Sequence, residues 1–290
     1  MLLLTGATGL VGSKLLGRLL AEGTQVRCLV RDPRRLGTQR VRVQIALGDL
    51  TDPPSFRNAL RGVDTVIHLA AAIRDQPRGS IEELDGIATW RMVEAAERQG
   101  VERFVFFSAL GASTHHRTRL GRAKALAEQA VAEADLHSVV FAPSIVYAPG
   151  DPWLTLLERL ALLPVMPVSG RGEARFQPIW AEDVARCVVA ALAREPAPRY
   201  EMAGPETLTY DQMSDLVSRI AGRPRPLVHV PLALVRSSLI ALRFFFGEAV
   251  FATWEEAELM EVSMVSERGT ADAERLGVKP RRMADVLAEV

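Results

Sequence analysis

The sequence predicts a doubly wound α/β fold, a parallel sheet covered by helices on both faces, with a smaller lobe at the C-terminal end. Three observations predict it. The chain opens on a short unbroken apolar run, Leu2 to Leu4, of the kind a strand buried on both faces requires. A glycine-rich turn follows and leads directly into helical periodicity. Short apolar runs and helical patterns then alternate until the regularity weakens beyond Gly150. Residues 1–145 are therefore expected to form the sheet unit and 146–290 the lobe, with roughly 174–196 returning to the core.

Composition narrows the function before any motif does. At 290 residues and 48% hydrophobic content the chain can bury a sizeable core. Its 35 basic and 35 acidic residues cancel, so nothing steers it onto nucleic acid or an anionic membrane, and a small-molecule role is favoured. The glycine motif begins at Thr5 and leaves no room for a targeting leader, so a cytoplasmic protein is expected, at most peripheral to a membrane through a partner. Cys28 and Cys187 sit in apolar surroundings and read as small core residues; no metal site is expected. Only Lys14, Lys124 and Lys279 are lysines, which leaves 32 arginines among the 35 basic residues. No repeat or low-complexity segment is present.

The stretch Thr5-Gly-Ala-Thr-Gly-Leu-Val-Gly12 has the physics of a diphosphate site. The first glycine allows the turn, the second lets the backbone approach a pyrophosphate, and the third permits close packing of a helix whose N-terminus faces the anion. Gly6, Ala7, Thr8, Gly9, Leu10 and Val11 are the candidate cofactor-binding residues here. The spacing departs from G-x-G-x-x-G and resembles the T-G-x-x-G-x-x-G of extended and atypical short-chain dehydrogenases/reductases, nucleotide-binding proteins of the Rossmann type.

The remaining elements follow in order. Leu10 to Glu22 read as the first helix, closed by Gly23, and Val26 to Val30 as the second strand. An acidic side chain about 20 residues after the glycines binds the ribose 2′-hydroxyl of NAD, whereas an arginine there accommodates the 2′-phosphate of NADP. Arg31 comes first at the strand end, then Asp32, then Arg34 and Arg35, which points to NADP(H) with NAD(H) as the alternative; a solvated charged loop is the plainer reading. Val41 to Leu47 suggest the third strand. The resemblance implies that Asp49 and Leu50, just after it, contact the adenine, although Asp49 could instead cap the helix opening at Pro53-Pro54.

Asp64 to Leu69 make a fourth strand running into Ala70-Ala71-Ala72. Small residues at a strand's carboxyl end let a cofactor lie against the backbone, and the resemblance places the nicotinamide-side ribose and diphosphate there; plain helix packing is the alternative. Ile81 to Gln99 form a long helix, Arg103 to Ser108 the fifth strand, Arg117 to Ala134 another helix, and Ser138 to Ala142 the sixth strand. Pro143 to Gly150 resemble the loop that approaches the nicotinamide, which makes Pro143 and Ile145 candidates. Arg175 to Ala185 resemble the strand-to-helix return of extended members, with Asp183 expected to cap a helix to Arg194. Pro231 to Trp254 are the most apolar stretch, yet Arg236, Arg243 and Glu248 argue against a membrane span, so a helix covering the cofactor mouth is expected.

Short-chain dehydrogenases usually carry Tyr-x-x-x-Lys on one helix, lysine holding the nicotinamide ribose and tyrosine exchanging the proton. Lys124 stands at the lysine position, but four residues earlier stands Leu120. Tyr147, Tyr200 and Tyr210 all lie elsewhere. Ser108 is the candidate for the helper serine, although that hydroxyl normally sits slightly further on, near Leu110. An exposed helix lysine is the plain alternative for Lys124. His115 and His116 are the nearby substitutes for a proton donor.

The whole chain resembles the atypical group that includes the nucleotide-binding accessory subunit of respiratory complex I and its bacterial relatives. Three functions follow from that resemblance: NADP(H) binding with little or no turnover, in association with a protein partner or a quinone-like ligand; a reductase using Lys124 or a pocket histidine; or a nucleotide-sugar epimerase or dehydratase, which the missing tyrosine disfavours.

Overall fold

The computed structural model describes all residues except 78, 247–252 and 290, and residues 241–246 by their backbone alone. Strands β1 (Leu2–Thr5), β2 (Val26–Val30), β3 (Gln44–Leu47), β4 (Thr65–His68), β5 (Arg103–Phe107) and β6 (His137–Pro143) pair in parallel with β11 (Arg199–Met202), in the order β11-β6-β5-β4-β1-β2-β3. The order reverses between β1 and β4, and in an open parallel sheet ligands bind beyond the strand carboxyl ends at such a switch point.

The pleat of β1 explains why the sheet must be covered twice. Leu2 and Leu4 point into one apolar layer with Leu15 and Leu19 of α1 (Leu10–Ala21) and Val184 and Val188 of α6 (Ala181–Leu192). Leu3 points into the opposite layer with Phe104, Phe106, and Met92 and Val93 of α3 (Ala88–Arg98) and Ala127 and Val131 of α4 (Arg119–Glu133). Burying each such leucine or phenylalanine contributes about 1.5–3 kcal/mol, so alternate residues of one strand hold both helical layers. Both cysteines are buried free thiols in this core, and burial pushes each up to about 12.

The remaining elements are β7 (Val146–Tyr147), α5 (Pro152–Leu160), β8 (Met166–Ser169), β9 (Arg175–Phe176), β10 (Ile179–Trp180), β12 (Leu208–Thr209), α7 (Tyr210–Ile220), β13 (Leu227–Val230), α8 (Leu232–Phe246), α9 (Trp254–Leu259), α10 (Ala271–Arg275) and α11 (Met283–Ala288); α10 packs on β11, with Ala273 in the sheet's apolar layer, and most of the others surround a separate apolar cluster and form the lobe. Its core gathers Tyr147, Leu154, Phe176, Met213 and Met283. Among the described residues no helix is long and apolar enough to cross a membrane.

Four expectations are corrected. The third strand begins at Gln44, not Val41, because Pro33–Arg42 coil into 3-10 turns: Asp32 Oδ1 accepts from the Arg34 N–H at 2.9 Å, Pro33 opens the turn, and Gly37 kinks it at φ +58°. The helix expected over Ile81 to Gln99 is interrupted by a π-helical turn at Glu82–Ile87, joined to α3. Asp183 does not cap α6, which starts after Trp180; its carboxylate lies buried in the first turn and accepts from the Arg281 N–H at 2.9 Å, fastening the C-terminal segment to the core. The apolar stretch from Pro231 is helical, but none of its described residues lines the crevice: between 231 and 240 no residue is buried, and Leu234 and Ile240 are 59% and 56% exposed. The rest of that expectation falls partly outside the described residues.

Candidate functional site

The crevice at the switch point is built by four turns that leave the ends of the adjacent strands β4, β1, β2 and β3. After β1, Gly6 takes φ +68°, and a Cβ on it would stand 2.7 Å from the Ala70 backbone nitrogen after β4. Gly9 precedes α1 and lines the crevice, and no side chain caps that helix, so its first N–H groups have no acceptor from a cap. A Cβ on Gly12 would meet the Gly6 carbonyl oxygen at 2.0 Å, so only glycine lets the helix start this close to the turn. The cradle therefore has the shape and the donors that an anionic diphosphate needs.

Most of the sequence candidates line one wall. Gly6, Ala7, Thr8 and Gly9 form its floor, Arg31 and Arg35 its end near β2, Asp49 and Leu50 the side near β3, and Ala70, Ala71 and Ala72 the side after β4. Arg34 is outside this lining and lends its N–H to Asp32. Leu10 and Val11 are in the first turn of α1 rather than in the wall. Asp49 does not cap α2 (Pro53–Phe56), which Asp52 precedes; its Oδ1 accepts from the Thr51 N–H and hydroxyl at 3.1 and 3.0 Å.

Ser108, Lys124, Pro143 and Ile145 are not in that wall. The first three gather at the carboxyl ends of β5 and β6, the next strands along from β4. Ser108 N–H donates to the Phe141 carbonyl, the Pro143 carbonyl accepts from Leu110 N–H, and the buried Ser108 hydroxyl has no partner among the described residues. Ile145 packs instead against the lobe core. Lys124 is 4% exposed: its ammonium donates to the Phe107 carbonyl at 2.8 Å and meets Asp85 Oδ1 at 2.9 Å, 5.1 Å from the Phe106 ring centroid. It is no surface lysine.

Leu120 is half-buried on α4 ahead of Lys124, and no tyrosine lines the crevice. Tyr147 and Tyr210 belong to the lobe core, and Tyr200 stacks on Phe141. His116 anchors the start of α4: its Nδ1 accepts from the Thr118 N–H at 3.2 Å. His115 is exposed beside Thr114.

Sequence reasoning missed a buried polar relay behind the wall. His68, fully buried, places Nδ1 3.0 Å from the Thr5 hydroxyl and Nε2 3.2 Å from the Thr89 hydroxyl. Burial, with the Lys124 charge as a lesser cause, pulls the imidazole down to about 3, so it is neutral at physiological pH. The Thr89 hydroxyl donates to the Asp85 carbonyl, and Asp85 Oδ2 accepts from the Ala72 N–H at 2.9 Å. The available signal was an imidazole closing an apolar strand and a carboxylate inside an apolar helical face. Missed also was a clasp over the 73–82 loop, whose Gln76 lines the crevice. Arg119 forks onto Glu82 at 2.7 and 2.6 Å and reaches Asp75 at 2.9 Å, and the Arg119 hydrogen bonds hold Glu82 down at about 2.

Comparison with known proteins names what this geometry suggests. A family model described as NAD(P)H-binding matches residues 6–195. The chain belongs to this NAD(P)H-binding family. It is 27% identical over 260 residues to subunit 9 of the NADH dehydrogenase [ubiquinone] 1 alpha subcomplex of Arabidopsis thaliana mitochondria, covering 85% of this chain and 64% of that one. It is 31% identical over 189 residues to a ceramide reductase of Caulobacter vibrioides, covering 64% of this chain and 59% of that one. The chain thus spans about six tenths of the length of these curated relatives. Among solved structures, the NADPH-dependent quinone oxidoreductase QOR2 of Escherichia coli, complexed with NADPH, superposes with a TM-score of 0.77 at 16% identity, over 100% of this chain and 99% of that one; this likeness establishes the fold. The resemblance to atypical short-chain dehydrogenases of the complex I accessory type is borne out.

Proposed function

We propose that this NAD(P)H-binding chain takes NADP(H) in preference to NAD(H) and works chiefly as a nucleotide-binding protein with little carbonyl-reducing turnover. The observation that carries the preference is the pairing of Arg31 and Arg35 in the crevice wall with an Asp32 whose Oδ1 is engaged by its own turn. Two guanidinium groups suit a 2′-phosphate, and the one acid beside them in the wall, Asp32, already has one carboxylate oxygen engaged by its own turn.

On this reading the turn Gly6 to Gly9 and the first N–H groups of α1, Leu10 and Val11 among them, take the diphosphate. Asp49 and Leu50 take the adenine, and Ala70 to Ala72 lie against the nicotinamide side. Lys124 gives a ribose hydroxyl an ammonium N–H that the Phe107 carbonyl leaves over. When bound, the cofactor supplies a hydride. The proton would have to come from elsewhere, because Leu120 has none to donate, and general acid catalysis is typically worth about 10²–10⁴ in rate. The likeness to a respiratory-complex subunit supports a role beside a protein partner or a quinone-like ligand. The alternative of a reductase with a relocated acid is favoured by the likeness to a ceramide reductase.

Calorimetric titration tests the preference. NADPH should bind more tightly than NADH, and Arg31→Ala should weaken NADPH by roughly tenfold to a hundredfold while leaving NADH nearly unchanged, since a hydrogen bond to a charged group contributes about 1.5–3 kcal/mol. Equal affinity of the unaltered protein for both cofactors refutes it. Brisk NADPH oxidation with ketones, aldehydes or quinones that is lost in His115→Ala, His116→Ala or Lys124→Ala would establish the reductase instead.

A further inference from the structure

The π-helical turn Glu82–Ile87 sits behind the crevice, and it brings Asp85 and Gly86 to the core while Glu82 and Glu83 stay partly exposed. Asp85 is wholly buried, and each of its carboxylate oxygens serves a different partner. Oδ2 accepts from the backbone N–H of Ala72, a residue of the crevice wall. Oδ1 forms an ion pair with the Lys124 ammonium at 2.9 Å and takes no hydrogen bond among the described residues. The Lys124 ammonium also donates to the Phe107 carbonyl. One carboxylate thus joins the wall after β4 to the cation at the end of β5.

Two charges this deep are tolerated only together, because either alone would be a desolvated ion without a counter-charge. An ammonium carries three donors, of which the Phe107 carbonyl takes one, and the Asp85 charge holds the nitrogen beside it. The position of the ammonium is then set by these two partners rather than by the flexible four-carbon stem. Insertions of π-helical geometry are frequent at functional sites, and here the buried carboxylate lies within one.

We propose that Asp85 is a positioning residue for the nicotinamide half of the cofactor: it holds the Ala72 backbone and the Lys124 ammonium as one unit, so that an ammonium N–H not taken by the Phe107 carbonyl serves the ribose. Asp85 acts through Lys124 and Ala72 and touches no cofactor atom itself. This rests on the NADP(H) reading above and adds the residue that organises one half of the site.

The test compares a whole cofactor with its adenosine half. NADPH and 2′,5′-ADP are titrated calorimetrically into the unaltered protein, Asp85→Asn, Lys124→Met and the electrically balanced double variant. Asp85→Asn should weaken NADPH by about tenfold or more, the size of one lost charge-assisted hydrogen bond, and leave 2′,5′-ADP within about twofold. Should Asp85→Asn fail to fold, the double variant, which leaves no unpaired buried ion, should show the same split. Equal NADPH affinity in Asp85→Asn and the unaltered protein overturns the proposal, and so does a parallel loss of both ligands, which a merely structural role produces. If the unaltered protein prefers NADH, the NADP reading fails by itself, and the same split is then read with NADH against ADP. An unaltered protein that binds none of the four ligands overturns both.

Discussion

Acid should destabilise this fold through one imidazole, His68. The ring is fully buried between the Thr5 and Thr89 hydroxyls, and desolvation, aided by Lys124, lowers it from 6.5 to about 3. The native state therefore excludes a proton that the unfolded chain accepts below pH 6.5. Because the unfolded state binds more protons in that window, stability falls as the pH drops from about 6.5 towards 3 and is fully present above it. The slope approaches about 1.4 kcal/mol per pH unit, so roughly 2 kcal/mol is lost by pH 5 from this residue alone, a large share of the ~5–15 kcal/mol of a typical domain. Urea unfolding at pH 7.5, 6 and 5, for the unaltered protein and His68→Asn, isolates the term by subtraction: the variant should show the shallower dependence. Should the variant not fold, the His68 ring resonances of the native protein should not titrate between pH 5 and 8. A native His68 that titrates above pH 6, or equal pH slopes in the two proteins, refutes the reasoning.

Other outcomes follow from single contacts. Gly12→Ala places a methyl 2.0 Å from the Gly6 carbonyl, so the turn must shift, and NADPH affinity should fall even where the variant remains folded; unchanged binding in calorimetry would show that the turn can yield. Asp151→Ala removes the cap that accepts from Leu154 N–H at 2.7 Å and Ala148 N–H at 2.8 Å, and urea unfolding should register a loss of about 0.5–2 kcal/mol. Leu234→Ser and Ile240→Ser lie on an uncovered face of α8, so each should move stability by no more than about 0.5 kcal/mol; a larger loss would mean that something covers that face.

The residues that the sequence alone determined are those whose role is local. Leu2 to Leu4, the spacing of Gly6, Gly9 and Gly12, and the small residues Ala70 to Ala72 declare a strand, a turn and a close backbone approach, because each depends on neighbours a few positions away. The same holds for Arg31 and Arg35, which follow a strand end directly and do line the crevice. Tertiary structure decided wherever two distant segments compete for one polar group. Asp183 looked like a helix cap and became an anchor for Arg281, 98 residues away. Lys124 could be placed on its helix from the sequence, but the partners that hold its ammonium, Asp85 and the Phe107 carbonyl, are 39 and 17 residues distant in the chain. For His68 and Asp85 the local pattern gave only a polar residue in an apolar strand and in an apolar helical face, and their partners are defined by what the fold packs around them. The physical reason is that apolar periodicity and backbone freedom are written over a few residues, whereas the satisfaction of a buried charge or hydrogen bond is settled only when the sheet brings its strand ends together.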